Sequence, residues 1–219
     1  MTAPPFGPAE FQRASNVSRE TMERLERFVA LLSERNVHHN LVSAGSLADV
    51  WRRHLWDCAQ LVELIREEAT SLVDLGSGAG FPGVILALLL RSRPAFRTVL
   101  FEATRKKCDF LSFAGGELGL ELGLRVEIRN SRIEDAAPEP FDVVTARACA
   151  PLPRLLLYAQ AFQAPGTLNL FLKGQSVGAE LTDAHKSWNM QVQEIASRSD
   201  PSGVILAIKG LRARRMRRT

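Results

Sequence analysis

Apolar residues recur at helical spacing through the first third of the chain. Two sets of positions follow this pattern: Met22, Leu25, Phe28, Val29 and Leu32, and then Val50, Leu55, Cys58, Leu61, Val62 and Ile65. Such spacing places apolar side chains on one face of each helix, as in helices that pack on a core. The polar segment 36–43 between them predicts a link. Residues 1–69 are therefore predicted to form an N-terminal helical cap.

From residue 70 onward, short apolar runs alternate with helical patterns. The predicted strands are 71–75, 97–102, 124–129, 141–146, 167–173, 189–196 and 203–209, and the predicted helices lie near 82–91, 104–118 and 151–162. This alternation is typical of a parallel sheet with crossover helices. The tight turn 200–203 leaves no room for a crossover, so the last two strands should form an antiparallel hairpin at the sheet edge. The pattern predicts an α/β, Rossmann-like domain over 70–210 of the class I S-adenosylmethionine-dependent methyltransferase type.

A glycine-rich turn follows the first predicted strand. Gly76, Gly78 and Gly80 can adopt backbone angles that a Cβ would forbid, and Pro82 suits the first turn of the next helix. Asp74 precedes the first glycine by two residues. A carboxylate there disfavours an anionic pyrophosphate but is compatible with the cationic groups of S-adenosylmethionine. The turn favours that cofactor, with a dinucleotide or a purely structural turn as alternatives.

Glu102 ends the second predicted strand, about 25 residues beyond the glycines. This is near the spacing at which a carboxylate binds the ribose hydroxyls of a nucleotide cofactor. We therefore expect Glu102 to bind the cofactor ribose, the alternative being a solvated acid at a strand end.

The fourth predicted strand should deliver residues toward the transferred methyl group. It lacks the Asn/Asp-Pro-Pro-aromatic tetrapeptide common in enzymes that methylate exocyclic amines. A ring nitrogen such as guanine N7 has an available lone pair and carries no proton, so its methylation needs no general base. No catalytic acid, base or metal ligand is therefore predicted.

Two residues at the end of that strand have competing interpretations. Cys149 is either a nucleophile of the cytosine-methyltransferase kind or, as we favour, a small buried hydrophobe. Arg147 is expected to contact cofactor or substrate, with a structural ion pair as the alternative.

His54 and Asp57 lie three residues apart on a predicted helix, where a structural hydrogen bond is favoured over catalysis.

Three further charged residues are candidates for ligand contacts. Glu134 follows the third predicted strand, where such folds commonly hold adenine, and its alternative is a surface acid. Lys173 ends the fifth strand and should face the cleft. Arg105 opens the helix after Glu102, where positive charge is unfavourable to the helix dipole and suggests a ligand, although a solvated basic face is an equal alternative.

Composition limits the remaining possibilities. The 219 residues include three scattered cysteines and neither a signal-like amino terminus nor a long uncharged apolar stretch, which favours a soluble cytoplasmic protein without a membrane partner. The net charge is +4, yet six positive charges lie in the last eleven residues, where no acid occurs. The predicted tail, 211–219, suits contacts with RNA phosphates or is simply a solvated end.

The order and spacing of these motifs resemble the bacterial RsmG, or GidB, family of 16S rRNA guanine-N7 methyltransferases. The resemblance runs from Asn40 to Lys209 and rests on Asn40-Leu41, His54-x-x-Asp57, 74–83, 102–107, Arg132-Ile-Glu134, Ala146-Arg-Ala148 and Lys173-Gly174. The chain departs from the family at Val42 and Cys58, lacks the usual arginine near Gly203, and has an arginine-rich tail instead of the usual C-terminal segment.

The resemblance implies S-adenosylmethionine bound at positions matching Gly76, Phe81, Ile133, Glu134 and Arg147, to which the motif reasoning adds Gly78 and Glu102. It also implies a guanosine in the decoding-region loop of 16S rRNA as methyl acceptor, with the small ribosomal subunit as partner. Lys173 and Arg105 are candidate RNA contacts, and the protein is expected to act as a monomer. A small-molecule methyltransferase and a non-catalytic RNA binder that senses adenosylmethionine remain alternatives.

Overall fold

A single seven-stranded sheet organises the chain, whose residues 6–214 are described by this computed structural model. The strands are β1 (Ser71–Leu75), β2 (Arg97–Phe101), β3 (Val126–Arg129), β4 (Val143–Arg147), β5 (Leu168–Lys173), β6 (Trp188–Ala196) and β7 (Val204–Ala213). Their order across the sheet is β3-β2-β1-β4-β5-β7-β6. The first five are parallel, whereas β7 runs antiparallel to both β5 and β6. The predicted fold class and the edge hairpin are confirmed.

Helices precede the sheet and cover both of its faces. They are α1 (Pro8–Ser15), α2 (Arg19–His39), α3 (Ala44–Ala48), α5 (Gly83–Leu89), α6 (Arg105–Glu117), α7 (Leu152–Ala159) and α8 (Val177–Ser187). Between α3 and β1 lies α4, a run of a π-helical turn (Trp51–Trp56), an α turn (Asp57–Ala59) and a 3-10 turn (Gln60–Leu64). Short 3-10 turns follow β3 (Ile133–Asp135) and α7 (Gln160–Phe162).

Three details differ from the sequence predictions. Helix α2 extends to His39, so the predicted link at 36–43 starts too early; the helix ends where Asn40 adopts a left-handed conformation. Helix α8, between β5 and β6, was not predicted. Strand β7 continues to Ala213, past the predicted strand end at 209 and into the predicted tail, because Gly210 accommodates an irregularity in its pairing with β6.

The helical cap and the sheet share one hydrophobic core. Phe28 of α2 packs edge-on against Phe81 of the glycine turn, with ring centroids 5.6 Å apart, and against Phe110 of α6 at 6.1 Å. All three rings belong to the same buried cluster. A second cluster on the opposite face joins α7 and α8 to β1 and β4. The cap is therefore part of the support beneath the glycine turn.

Asp74 fixes the position of that turn from below. Its side chain is fully buried, accepts a hydrogen bond from the Gly83 backbone N–H at 3.1 Å and accepts another from the Thr145 hydroxyl at 2.9 Å. One carboxylate thus joins β1, β4 and the start of α5. Helix α5 can approach this closely only because residue 83 lacks a side chain: a Cβ there would lie 2.3 Å from Leu100 Cδ2 and 2.7 Å from Asp74 Oδ2.

We expect Gly83→Ala to lower the free energy of unfolding by about 3 kcal/mol, because the added methyl group must displace Leu100 or the Asp74 carboxylate. Gly116→Ala is the matched control: it lies in α6 with no heavy atom within 4 Å of an added Cβ. That change should stabilise the protein by about 0.5–1 kcal/mol. Urea denaturation measures both, and equal effects of the two changes would contradict this packing.

Candidate cofactor and substrate cleft

The glycine turn presents bare backbone at the carboxyl end of β1. Gly76 has a φ of 72°, and a Cβ there would lie 2.8 Å from Cys149 Sγ. Gly78 has a φ of 59° and donates its backbone N–H to Glu102 Oε2 at 2.9 Å. A positive φ favours glycine at both positions, and the close approach of Cys149 adds to this at Gly76. The geometry explains the glycine pattern without invoking a ligand, and it leaves the turn free of side chains.

Glu102 lies beside this turn, as its position after β2 predicts. It is 7% exposed, and its second carboxylate oxygen, Oε1, accepts the Thr104 N–H at 2.7 Å. The carboxylate therefore bridges the glycine turn and the start of α6. A bare backbone turn beside an oriented carboxylate fits the ribose of a nucleotide-like cofactor.

Asp74 has a different role from the one inferred from sequence. The sequence argument placed its carboxylate near the cationic groups of the cofactor, but the side chain is fully buried and both oxygens are hydrogen-bonded within the fold. Burial raises the pKa of this carboxyl to about 6. Asp74 supports the turn instead of lining the ligand cleft.

Ile133 and Glu134 lie in the 3-10 turn after β3. Ile133 is half-buried and packs on the core beneath the turn, whereas Glu134 is exposed. Glu134 Oε1 accepts hydrogen bonds from the Tyr158 hydroxyl at 2.7 Å and from Arg154 at 3.2 Å. The Tyr158 bond is the main cause of a Glu134 pKa below its usual value. Sequence reasoning did not predict these two partners, which come from α7.

Phe81 is buried, and its ring faces the helical cap. It stacks on the His54 imidazole with centroids 4.5 Å apart and makes an edge-on contact with Phe28. The ring is therefore occupied by contacts within the core. A contact between Phe81 and a cofactor would have to use the backbone.

Arg147, at the end of β4, is held by three residues of α4. Its Nε lies 3.1 Å from Asp57 Oδ2, and its two terminal nitrogens donate to the Arg53 carbonyl at 2.7 Å and to His54 Nδ1 at 2.5 Å. The side chain is 21% exposed. The structure thus shows the ion pair that was the structural alternative for Arg147, and His54 and Asp57 have the structural role favoured from their spacing.

The same carboxylate continues the network into the hairpin. Asp57 Oδ1 accepts hydrogen bonds from the hydroxyls of Ser199 at 2.6 Å and of Ser197 at 3.3 Å. Both serines lie just before the turn that joins β6 to β7. Asp57 therefore connects α4, β4 and the hairpin, a connection that sequence reasoning missed because its members lie up to 142 residues apart.

These three elements enclose a cleft of about 560 Å³ beyond the carboxyl ends of β4 and β5. Its charged and reactive lining residues are Arg53, Asp57, Arg147, Cys149, Lys173, Glu180 and Asp200. Lys173 faces this cleft as predicted; it is 10% exposed and its Nζ donates to the Ala150 carbonyl at 2.7 Å and to Glu180 at 2.8 Å.

Cys149 borders both the cleft and Gly76. Burial raises the pKa of its thiol to about 11, and the nearby Asp74 and Glu102 carboxylates act in the same direction. A thiol with that pKa is protonated at neutral pH and is a poor nucleophile. The environment supports the small-hydrophobe interpretation of Cys149.

Arg105 is not among the described residues that line the cleft. It lies on the first turn of α6, is 81% exposed and pairs with Asp109 at 2.8 Å.

Within residues 6–214, no three His, Cys, Asp or Glu side chains are grouped to hold a metal ion. No helix in the described part of the chain is long and apolar enough to cross a bilayer.

Comparison with known proteins defines the family. The family model for the rRNA small subunit methyltransferase G, GidB, matches residues 21–203. The chain belongs to this family. The protein of that name from Parvibaculum lavamentivorans is 46% identical over 203 residues, which cover 92% of this chain and 88% of that protein. Its counterpart in Rhodospirillum centenum is 44% identical and covers 99% of this chain and 96% of its own length.

Solved structures show the same fold at low sequence identity. A SAM-dependent methyltransferase from Aquifex aeolicus is similar with a TM-score of 0.56 and 16% identity, covering 75% of this chain and 95% of that one. The tRNA methyltransferase TrmI, also from Aquifex aeolicus, has a TM-score of 0.51 and 18% identity, covering 74% and 69%. Together with the family match, they confirm the predicted methyltransferase class and its S-adenosylmethionine cofactor.

His54 should make stability depend on pH. Burial, reinforced by Arg147 and Arg53, lowers its pKa to about 3, and its Nε2 has no hydrogen-bond partner among the described residues. In the unfolded chain His54 binds a proton below about pH 6.5, whereas in the folded protein it stays neutral until the pH approaches 3. Its contribution to the free energy of unfolding is therefore fully present above about pH 6.5 and is lost as the pH drops toward 3. Between neutral pH and pH 5 the contribution of His54 should fall by about 2 kcal/mol, while Asp74, whose pKa is raised to about 6, acts in the opposite direction.

The variant His54→Gln keeps a side-chain acceptor for Arg147 but cannot titrate. Urea denaturation at neutral pH and at about pH 5 should therefore show a smaller loss of stability for the variant than for the wild type. The same pH dependence in both proteins would show that His54 is not the titrating group.

Proposed function

We propose that the protein transfers a methyl group from S-adenosylmethionine to N7 of a guanosine in 16S rRNA. Relatives that cover nearly the whole chain carry the name ribosomal RNA small subunit methyltransferase G, which supports the acceptor. The observation that carries the proposal is the bare glycine turn beside Glu102, which adjoins, at Cys149 next to Gly76, a cleft lined by the basic side chains of Arg53, Arg147 and Lys173 and by three acidic ones.

Different residues around the glycine turn contact different parts of the cofactor. The backbone at Gly76 and Gly78 leaves room for the donor, and Glu102 binds ribose hydroxyls, with its carboxylate held in place by the Gly78 and Thr104 N–H groups. Ile133 and Glu134 border the adenine. S-adenosylmethionine, when bound, supplies an electrophilic methyl group.

Phe81 and Arg147 act mainly on the shape of the site. Phe81 contributes backbone to the turn while its ring anchors the turn to His54. Arg147 holds α4 against the end of β4 and lines the cleft, where it can contact cofactor or acceptor. Neither residue needs to exchange a proton.

The acceptor nucleobase enters the cleft beside β4 and β5. Guanine N7 is unprotonated, so the protein has to hold nucleophile and methyl group in line and exclude water. Lys173 has three N–H donors, of which two are used by Ala150 and Glu180. We assign the third to guanine O6, the acceptor next to N7.

Arg105 is proposed to contact an RNA phosphate outside the cleft. Its pair with Asp109 is exposed, so exchanging that partner for a phosphate costs little.

We further propose that the protein acts as a monomer in the cytoplasm, where ribosomal subunits are assembled. The division into a cap at 1–69, a methyltransferase domain at 70–210 and a tail at 211–219 is part of this proposal; the tail lies largely outside the described residues.

Incubating the protein with labelled S-adenosylmethionine and small subunits that lack this modification tests the activity. The label should appear as 7-methylguanosine at a single position of 16S rRNA. Labelling of small molecules from an extract, with none in ribosomal particles, would indicate the small-molecule alternative. Binding of the donor without transfer to either would indicate the non-catalytic alternative.

Glu102→Gln should weaken the binding of S-adenosylhomocysteine by about tenfold or more, because charge-assisted hydrogen bonds to ribose are lost. Asp109→Asn removes the same charge from the exposed face of α6 and is the matched control, with no change in affinity expected. Isothermal titration calorimetry measures both, with circular dichroism to verify folding. Unchanged affinity in Glu102→Gln would exclude the proposed ribose contact.

A further inference from the structure

The terminal hairpin extends from one end of the sheet to the other. Val204, the first residue of β7, pairs with Lys173 at the carboxyl end of β5, next to the cleft. Ile208 pairs with Asn169 near the amino end of β5. Strand β7 then continues to Ala213 with β6 as its partner. The last residues of the hairpin therefore lie at the end of the sheet opposite the cleft.

A bulge in this distal part brings two basic residues to one face. Lys209 pairs with Gln191, and Arg212 pairs with Asn189. Because Asn189 and Gln191 are two residues apart on β6 they point to the same face, and so do their partners. In a regular strand, residues 209 and 212 would face opposite sides; the extra residue next to Gly210, whose φ is 64°, changes this.

The resulting face carries positive charge and amide groups, all exposed. We call it the distal hairpin surface, formed by Asn189, Gln191, Gln193, Lys209 and Arg212. It contains no acidic residue. Within residues 6–214, neither Lys209 nor Arg212 forms an ion pair, whereas Lys173, Arg105 and Arg147 each have a carboxylate partner.

The chain continues this charge beyond the surface. Arg214 is exposed, and its position is fixed by hydrogen bonds from its backbone N–H to the Ser187 carbonyl at 2.8 Å and from its Nε to the Trp188 carbonyl at 3.2 Å. Three more arginines follow in the sequence before residue 219. The amino-acid sequence therefore continues the positive charge after Arg214.

We propose that the distal hairpin surface binds the RNA backbone at a second place, away from the methylated nucleotide. Arginine, lysine, asparagine and glutamine side chains are the usual donors to phosphate and sugar oxygens. Arg212 lies eight positions beyond Val204 along β7, or roughly 26 Å at the rise of an extended strand. A nucleotide in the cleft cannot also reach this surface, so a different RNA segment must occupy it.

The proposal rests on the proposed function and adds a property to it: recognition of the substrate at two separate points. A short RNA containing only the acceptor loop would engage the cleft alone, whereas the small subunit would engage both. Affinity for the subunit should therefore include a salt-dependent contribution that the short RNA lacks, since each phosphate contact releases counterions.

The test uses the full chain with Lys209→Gln and Arg212→Gln combined. The control combines Arg13→Gln and Arg19→Gln, which removes two exposed charges from α1 and α2. Binding is measured at several salt concentrations to unmodified small subunits and to a short 16S rRNA hairpin that carries the acceptor loop. Competition by vesicles containing phosphatidylglycerol is measured in parallel.

We expect the double variant to bind small subunits about tenfold more weakly, with the slope of log affinity against log salt reduced by about 2, and the loss on the short hairpin to be much smaller. The control should match the wild type. Unchanged subunit binding, an equal loss on both RNAs, or competition by vesicles would overturn the proposal. Binding is read independently of methyl transfer, so a protein that binds but does not methylate would instead count against the proposed activity.

Discussion

A single buried carboxylate determines how the site is built. Asp74 is fully buried and receives the Gly83 N–H from the start of α5 and the Thr145 hydroxyl from β4. These bonds fix the two ends of the glycine turn relative to the sheet. Because burying a carboxylate is costly unless it is hydrogen-bonded, the same groups that satisfy Asp74 also hold the turn in one conformation. The bare backbone at Gly76 and Gly78 is available to a ligand because this support lies beneath it.

A second carboxylate, that of Asp57, connects the elements that line the cleft. Asp57 accepts from Arg147 of β4 and from Ser199 beside the hairpin turn, so that one carboxylate joins three elements that are distant in sequence. Arg147 in turn reaches the α4 backbone and His54. The helical cap therefore contributes one wall of the cleft as well as hydrophobic support. In the proposed function, the cap, the strand end and the hairpin define the space for the acceptor, and positioning suffices for transfer to an unprotonated nitrogen.

The sequence predicted those features that depend on local patterns. The strands could be predicted because buried strands appear in the sequence as short apolar runs. The turn could be predicted because its backbone angles require the glycines of the segment 74–83. Helix α8 was missed although Val177, Leu181 and Ala184 have helical spacing, since polar residues interrupt so short a pattern. The partners of Asp57 and Glu134 could not be predicted, because hydrogen bonds between distant segments depend on tertiary packing. The bulge at Gly210 was equally hidden, since pairing register is not a property of one strand alone.

The central claim is that the turn held by Asp74 binds a sulfonium methyl donor. Calorimetric titration of the wild type and of Gly76→Ala with S-adenosylhomocysteine, and separately with NAD, tests it most directly. The account predicts that the wild type binds S-adenosylhomocysteine and not NAD. Gly76→Ala should bind S-adenosylhomocysteine at least tenfold more weakly, since its methyl group would strain a positive φ and contact Cys149. Binding of NAD in preference to S-adenosylhomocysteine, or equal affinities in the two proteins, would contradict it.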